Sequence, residues 1–193
     1  MRDEIKTDRL VLRQLTLKDA AAISTLASDY DIARMTGSFP HPFPLLSAEF
    51  KIMDLEQKRR RALAYPYAIT IDGGELMGMA DIFRRDTDAA LEIGYWLGKS
   101  FWGRGYTSEA AQAVITEAHK TLGASTIIAG VFSDNPASIR VLQKLGFEFT
   151  GKSDMYFYMG RLKKAHSLDL CLDINIFQQS RPLQDIQKNA MRA

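Results

Sequence analysis

The segment from Ala90 to Leu122 constrains the fold of this 193-residue chain more than any other. Up to Leu97 its apolar residues alternate with other residues, with the period of two that is typical of a strand. Its last part has the three-and-four apolar spacing of one helix face, at Ala110, Ala111, Val114, Ile115, Ala118 and Leu122. The sequence Trp-Gly-Arg-Gly-Tyr-Thr, residues 102–107, lies between the two parts. We therefore predict a strand, a glycine-rich turn and a helix.

One interpretation of this turn is a phosphate site. Gly103 and Gly105 allow a ligand to approach the backbone closely. The helix that follows has unpaired N–H groups at the positive end of its dipole, which favour phosphate. A glycine pair before a helix is also a common tight turn, and the segment alone leaves both interpretations open. Its spacing fits neither a Walker A loop nor a good dinucleotide-binding fingerprint.

Composition narrows the class of protein. With 46% apolar and 25% charged residues, the chain is typical of a soluble globular protein. Its net charge of +2 argues against a nucleic-acid or membrane partner held by bulk electrostatics. The single cysteine, Cys171, allows no intramolecular disulfide, and no signal peptide or membrane span is recognisable. We expect a cytoplasmic protein without a metal site, with one domain over residues 1–175 and a tail over 176–193.

Upstream of the glycine turn, the patterns predict strands and helices in alternating groups. The predicted strands cover residues 9–15, 67–72 and 76–84, with a glycine hairpin turn between the last two. The predicted helices cover residues 16–28, which begin with a capping box, and 48–64, with Ser47 as the N-cap. Residues 29–35 are predicted to form a short helical turn. Residues 36–44 contain three prolines in five residues and cannot be regular.

Downstream of the glycine turn, a buried strand is predicted at residues 126–132. A helix beginning at Pro136 is predicted to end before Gly146, followed by strand-forming segments at 147–150, 156–158 and 166–174. The strand before the glycine turn, the long helix and the strand at 126–132 form a βαβ unit with parallel strands. The predicted fold is therefore α/β (α+β), with a mixed central sheet flanked by helices. A ligand is expected at the carboxyl ends of the parallel pair.

Several motifs, taken together in this order, resemble the GNAT family of N-acetyltransferases. Arg9-Leu-Val-Leu-Arg13 resembles the opening strand of the ribosomal-protein alanine acetyltransferase group. The acetyl-CoA motif of that group is similar to residues 92–97 followed by residues 102–110. Its second motif is similar to Asn135-Pro-Ala-Ser138 and Leu145-Gly-Phe147. The resemblance covers about residues 8–162.

The resemblance implies a GNAT-type sheet whose parallel pair splays apart around acetyl-CoA. Backbone N–H groups of residues 103–107 are expected to hold the pyrophosphate, and the pantetheine arm is expected along residues 95–97. Asn135 is expected to hold the pantetheine, while it also caps a helix. The implied cofactor-binding residues are Tyr95, Trp96, Leu97, Trp102, Gly103, Arg104, Gly105, Tyr106, Thr107, Asn135 and Ser138.

The same resemblance implies transfer of the acetyl group to a primary amine, by direct attack through a tetrahedral intermediate. Glu92 is the candidate base, directly or through water, with Asp81 as a weaker alternative. The other interpretation of Glu92 is a solvated or hydrogen-bonded strand carboxylate. The backbone N–H near Leu97 is the candidate oxyanion donor. Ser138 is the candidate acid for the leaving thiolate, because Leu142 stands where many family members have a tyrosine.

The acceptor is predicted to be a small molecule or a protein N-terminus. Candidate acceptor-binding residues are aromatic or lie in the proline-rich loop, namely Phe39, His41, Phe43, Tyr156 and Tyr158. The same aromatic residues are equally compatible with an ordinary core, and a single loop histidine with a solvated side chain. A non-catalytic acyl-CoA-binding or sensing module on the same fold is the alternative function. Either a monomer or a homodimer is compatible with the sequence.

Overall fold

One mixed sheet organises the computed structural model, which describes residues 1–84 and 90–174. The strands are β1 (Glu4–Lys6), β2 (Val11–Arg13), β3 (Ala64–Thr70), β4 (Leu76–Arg84), β5 (Leu91–Leu97), β6 (Thr126–Phe132), β7 (Glu148–Tyr158) and β8 (Lys163–Asp173). Their spatial order is β1-β2-β3-β4-β5-β6-β8-β7. Neighbouring strands are antiparallel except for β5 and β6, which are parallel. The predicted fold class, a mixed sheet with a parallel pair, is confirmed.

Helices cover both faces of this sheet. They are α1 (Ala20–Ala27), α2 (Tyr30–Ala33), α3 (Leu45–Arg60), α4 (Tyr106–Leu122) and α5 (Pro136–Lys144). Helices α4 and α5 contribute to one hydrophobic core, and α1, α2 and α3 contribute to a second core. Across residues 1–84 and 90–174, no helix combines the length and the apolar character that a membrane span requires.

Strand β5 contributes to both cores because its side chains alternate between the two faces of the sheet. Leu91, Ile93 and Leu97 are buried in the core beneath α4, whereas Trp96 is buried in the core beneath α1 and α3. The predicted apolar face of α4 is confirmed, since Ala110, Ala111, Val114, Ile115 and Ala118 are fully buried. Gly123 ends this helix at a φ of 66°, a value that favours glycine.

The parallel pair is short. Its register contains two residue pairs, Leu91 with Ile127 and Glu92 with Ile128, although each strand has seven residues. Beyond Glu92 the two strands separate, while β4 stays paired with β5 as far as Leu97. The splayed pair expected from the family resemblance is therefore present at the carboxyl end of β5.

The N-terminal prediction was wrong in its details. A single strand over residues 9–15 was predicted, but β2 is shorter and pairs with an additional strand, β1. Three-residue strands are too short to show a periodicity of their own, and Ile5, which pairs with Leu12, is buried in the core beneath α4. The predicted first helix is divided into a 3-10 turn at Leu17–Asp19 and the helix α1. Its predicted capping box is confirmed by the 2.8 Å bond from the Thr16 N–H to Asp19 Oδ2.

Other boundaries also differ from the prediction. Ser47 is not an N-cap, because α3 begins at Leu45 directly after Pro44, and Ala64 belongs to β3 rather than to the helix. The segments predicted separately at 147–150 and 156–158 are one strand, β7, with an irregular register between Phe149 and Ser153. The tail predicted at 176–193 lies outside the described residues, and the domain boundary stays a prediction.

Candidate active site

The gap between β5 and β6 is the centre of the candidate site. The Gly98 N–H donates to Met77 O at 2.8 Å, on the side of β4. Main-chain N–H groups alternate in direction along a strand, so the N–H of Leu97 points to the opposite side, into the gap. That position suits the predicted oxyanion donor, and a ligand with its own amide groups finds strand-like partners there.

The glycine-rich turn lies at the end of this gap. Gly103 has a φ of 75° and Gly105 a φ of 78°, and Tyr106 is the first residue of α4. A Cβ atom built on Gly103 would meet nothing within 4 Å, so the turn is open on that side. The first N–H groups of a 17-residue helix therefore lie beside a turn that is open at Gly103. This arrangement fits the pyrophosphate of acetyl-CoA.

Trp102 connects the turn to the end of β5. Its indole nitrogen Nε1 donates a hydrogen bond to the Leu97 carbonyl oxygen at 2.7 Å, although the side chain is 46% exposed. The bond occupies a carbonyl on the gap side of the strand. A ligand arm can therefore use the Leu97 N–H while Trp102 holds the carbonyl of the same residue, in the next peptide group.

Glu109 holds the turn from the other side, and sequence reasoning missed it. Its carboxylate accepts hydrogen bonds from Thr7 Oγ1 at 2.6 Å and from Arg9 Nε at 2.7 Å, while Arg9 also donates to the Arg104 carbonyl at 2.9 Å. The Arg9 guanidinium lies 4.8 Å from the ring centre of Tyr106. Burial raises the pKa of Glu109, but hydrogen bonds from Thr7 and Arg9 bring that pKa below its ordinary value.

Asn135 and Ser138 meet at the first turn of α5, as predicted for a helix cap. Asn135 Oδ1 accepts the Ser138 N–H at 3.1 Å, and Pro136 is the first helical residue. The Tyr95 hydroxyl lies 2.9 Å from Ser138 Oγ, so a side chain from β5 reaches across to α5. Burial raises the pKa of Tyr95 to about 12, against a smaller lowering by Ser138. Leu142, at the position where the resemblance implies a tyrosine, is buried in the core and has no proton to donate.

Two carboxyl groups share the face of the sheet that α1 and α3 cover. Glu92 is the last residue of β5 that pairs with β6, and Asp81 on β4 is opposite Gly94. A Cβ atom at position 94 would lie 2.5 Å from Asp81 Oδ1, so glycine makes room for this carboxyl group. Burial raises the pKa of Asp81 to about 6; Lys51 lowers it and the charge of Glu92 raises it further. In the described part of the chain, no three His, Cys, Asp or Glu residues form a metal-binding group.

The predicted acceptor-binding residues fall into two groups. Phe39 and Phe43 are buried, with ring centres 4.8 Å apart, and Phe39 meets Trp96 edge-on at 5.5 Å. They pack as ordinary core residues, which was the other interpretation of these aromatic side chains. Their contact with an acceptor stays a prediction. His41 is exposed and lies edge-on to Tyr30 at 5.2 Å.

Tyr156 and Tyr158 form the second group, near the end of β7. The Tyr158 ring packs edge-on against Phe132 at 4.1 Å between ring centres, and it lies beside Gly37 of the proline-rich loop. The exposed Tyr156 donates to Asp154 Oδ2 at 3.2 Å. Tyr158 therefore lies between the end of β6 and the proline-rich loop, which suits an acceptor-binding wall.

Arg161 fixes the turn after β7, and nothing in the sequence pattern singled it out. Its guanidinium makes two bonds to the Asp134 carboxylate, at 2.9 and 2.8 Å, and lies 4.0 Å from the ring centre of Phe132. It also donates to the Arg34 carbonyl in the turn after α2. Asp134 precedes Asn135, so this arginine joins three segments beside the candidate site.

Comparison with known proteins identifies the chain. The acetyltransferase (GNAT) domain matches residues 9–148, which include β5, the glycine turn and α5. The chain belongs to the GNAT acetyltransferase family. The predicted family is confirmed, and so is the prediction of an acetyl-CoA-dependent N-acetyltransferase, on the basis of this membership.

Similar proteins within the GNAT family are known from bacteria. An uncharacterized N-acetyltransferase, YoaA of Bacillus subtilis, is 33% identical over 171 residues, which cover 80% of this chain and 88% of YoaA. The p20 N-acetyltransferase of Bacillus licheniformis is 28% identical over 77% of this chain and 84% of its own. The structure of Mycobacterium smegmatis RimJ in complex with CoA-disulfide has a TM-score of 0.75 at 22% identity, covering 85% of this chain and 81% of RimJ. RimJ thus shares the fold of this GNAT protein.

Proposed function

We propose that this GNAT protein transfers the acetyl group of acetyl-CoA to a primary amine, on a small molecule or at a protein N-terminus. The single observation that carries the proposal is the separation of β5 and β6 beyond Glu92, directly beside the open glycine turn. A gap bounded by strand backbone suits a pantetheine arm, and a helix N-terminus suits a pyrophosphate.

The proposed binding mode uses mainly backbone groups. The N–H groups of residues 103–107 hold the pyrophosphate, and the gap side of residues 95–97 pairs with the pantetheine amides. Trp102 and Arg9 act indirectly, because they fix the Leu97 and Arg104 carbonyl groups. Asn135 contributes from α5 while it caps that helix.

In the proposed reaction, acetyl-CoA supplies a thioester that is ready for attack by an amine. The Glu92 carboxylate accepts a proton from the amine, directly or through water. The Leu97 N–H, which points into the gap, stabilises the negative charge that develops on the carbonyl oxygen. Ser138, at the opposite wall, delivers a proton to the leaving sulfur. Asp81 is the alternative base, and its pKa of about 6 suits proton transfer near neutral pH.

The acceptor is proposed to enter on the face of the sheet that carries Glu92. Tyr158, Tyr156 and the exposed His41 border this face, whereas Phe39 and Phe43 support it from the core. At 22% identity, the likeness to RimJ concerns the fold and gives no reason to assign a ribosomal-protein substrate to this chain. Both amine classes therefore belong in the test.

The test combines binding and turnover. Thermal unfolding with coenzyme A, ATP and NAD is expected to show the largest stabilisation with coenzyme A. Thiol release from acetyl-CoA is then measured with a panel of small amines and N-terminal peptides, and mass spectrometry identifies the acetylated product. Glu92→Gln is expected to lower kcat by about 100-fold or more while coenzyme A affinity is retained. The matched variant Asp81→Asn tells which carboxyl group is the base.

The outcomes separate the candidate functions. Product formation that depends on Glu92 or Asp81 supports the proposal. Normal coenzyme A binding without turnover of any amine would favour the sensing module instead. Absence of stabilisation by coenzyme A would overturn both, because each requires the gap and the glycine turn to hold this ligand.

A further inference from the structure

The leaving thiolate needs a proton that Ser138 alone supplies poorly. A serine hydroxyl that gives up its proton leaves an alkoxide, which is a much stronger base than a thiolate. Leu142, one turn further along α5, is buried and has no proton to give. A second group must therefore replace the proton that Ser138 gives away.

Tyr95 is placed to do this from the opposite wall. It lies on β5 three residues beyond Glu92, the last residue that pairs with β6. Its hydroxyl crosses the widening gap and lies 2.9 Å from Ser138 Oγ and 3.4 Å from the Ser138 carbonyl. Either hydroxyl of the 2.9 Å contact can be the donor, so the geometry allows the phenol to donate to Ser138 Oγ. Asn135 fixes the serine by accepting its backbone N–H at 3.1 Å.

We propose that Tyr95 supplies, through Ser138, the proton that the leaving thiolate takes up; this rests on the proposed function. Ser138 is the residue that touches the sulfur, and Tyr95 is a positioning and proton-supplying residue that acts through it. As the carbon–sulfur bond breaks, its electron pair goes to sulfur. Sulfur takes the Ser138 hydroxyl proton, and Ser138 takes the Tyr95 hydroxyl proton. The phenolate then recovers a proton from solvent, which balances the amine proton that the base releases.

The surroundings of Tyr95 keep this proton available. Burial raises the pKa of Tyr95 to about 12, so the phenol is protonated at neutral pH before each reaction cycle, although it is a weaker acid than an exposed tyrosine. It is still a better acid than a serine hydroxyl, so the pair loses a proton more easily than Ser138 would alone. The carbon framework of Tyr95 also packs against the core beneath α4, which limits movement of the hydroxyl.

Three variants test the proton path: Tyr95→Phe, Ser138→Ala and the double variant. Each single change is expected to lower kcat by about 100-fold, and the double variant by no more than either single one. Tyr65→Phe is the matched control, since this half-buried tyrosine lies on β3, away from the gap. Circular dichroism and thermal unfolding check that every variant is folded.

A binding readout that does not depend on turnover accompanies the kinetics. We expect the wild type to prefer coenzyme A over desulfo-coenzyme A, because the hydroxyl pair donates toward sulfur. Ser138→Ala should abolish this preference and Tyr95→Phe should reduce it, with little change in affinity for the desulfo compound. In mixtures of light and heavy water, wild-type kcat should show more than one proton in flight, and Tyr95→Phe should lose this curvature.

The results distinguish this inference from the function on which it rests. Active wild type together with a fully active Tyr95→Phe, or additive losses in the double variant, would overturn the proton path and leave the acetyltransferase standing. A wild type that binds no coenzyme A or transfers no acetyl group would overturn both. Non-additive losses with an altered sulfur preference would support the path.

Discussion

The indole N–H of Trp102 lies 2.7 Å from the carbonyl oxygen of Leu97, so the residue before the glycine turn fixes the last peptide of β5. This bond joins the two parts of the proposed acetyl-CoA site, the turn and the strand. It also accounts for a partly exposed tryptophan at this position, since only its polar edge has a partner in the strand.

Trp102→Phe removes this donor and keeps an aromatic ring. Loss of one hydrogen bond of about 1 kcal/mol should raise the KM for acetyl-CoA about fivefold, with a smaller effect on kcat. Calorimetric titration with coenzyme A measures the same loss as a Kd. An unchanged Kd would mean that the Leu97 peptide is held without the indole.

Gly103→Ala is expected to weaken coenzyme A binding at least tenfold, because an added methyl group would project into the open side of the turn. Gly123→Ala is the matched control at the other end of α4. Both glycines have positive φ, of 75° and 66°, and an added Cβ atom meets nothing within 4 Å at either. Both variants should therefore lose about 1 kcal/mol of unfolding free energy. Equal coenzyme A affinities in the two variants would contradict the phosphate site.

Glu109→Gln should lower the unfolding free energy by about 1 to 2 kcal/mol at pH 7, because the carboxylate is the shared acceptor for Thr7 and Arg9. The folded-state pKa is depressed, so the stabilisation exists above the ordinary pKa of 4.5 and is lost as pH falls through the folded value. Urea unfolding at pH 7 and near pH 3 measures the difference. Glu56→Gln, in an exposed pair with Arg60, should change stability little at either pH.

Asp81→Asn should stabilise the fold at neutral and alkaline pH. The folded-state pKa of Asp81 is raised from 3.8 to about 6, so the folded protein binds more protons between these values and stability falls as pH rises through that window. The variant should remove this slope and gain about 3 kcal/mol at pH 8. Thermal unfolding from pH 4 to pH 8 measures both effects, and parallel curves for the two proteins would refute them.

Arg161→Met should cost about 2 kcal/mol of unfolding free energy, since it breaks the bonds to Asp134 and to the Arg34 carbonyl. Arg161→Lys should not restore stability, because a lysine cannot form the two-point contact with Asp134. Arg60→Met provides the control, as its pair with Glu56 is highly exposed. Similar losses in Arg161→Met and Arg60→Met would show that the buried arginine has no special role.

The sequence predicted the elements whose patterns are long and local. Strands β4 and β6 have the predicted limits, because each is a run of strand-forming residues between turn signals. Helix α4 follows its apolar periodicity, and α5 begins at the proline and asparagine that the helix-cap rules favour. The motifs around the glycine turn identified the family, because several weak signals occurred in one order.

Contacts between distant residues account for what was not predicted. Thr7 and Glu109 are 102 positions apart, and Tyr95 and Ser138 are 43 apart, so no local period connects them. Strand β1 is likewise formed by three residue pairs with β2, among them Ile5 with Leu12. Ser47 has the side chain of a helix cap, yet the N-cap of α3 is Pro44, three residues earlier. A proline has no backbone N–H, so it leaves no N–H unpaired at the start of a helix.

Two residue pairs join strands β1–β5 to strands β6, β8 and β7, whereas the adjoining pairs β4–β5 and β6–β8 have seven residue pairs each. Main-chain pairing therefore couples these two blocks weakly, and the core beneath α4 contains side chains of both. On the proposed binding mode, the pantetheine arm adds main-chain partners where the sheet has none. The sheet is then more continuous with acetyl-CoA bound than without it, and part of its main-chain pairing forms and is lost in each catalytic cycle.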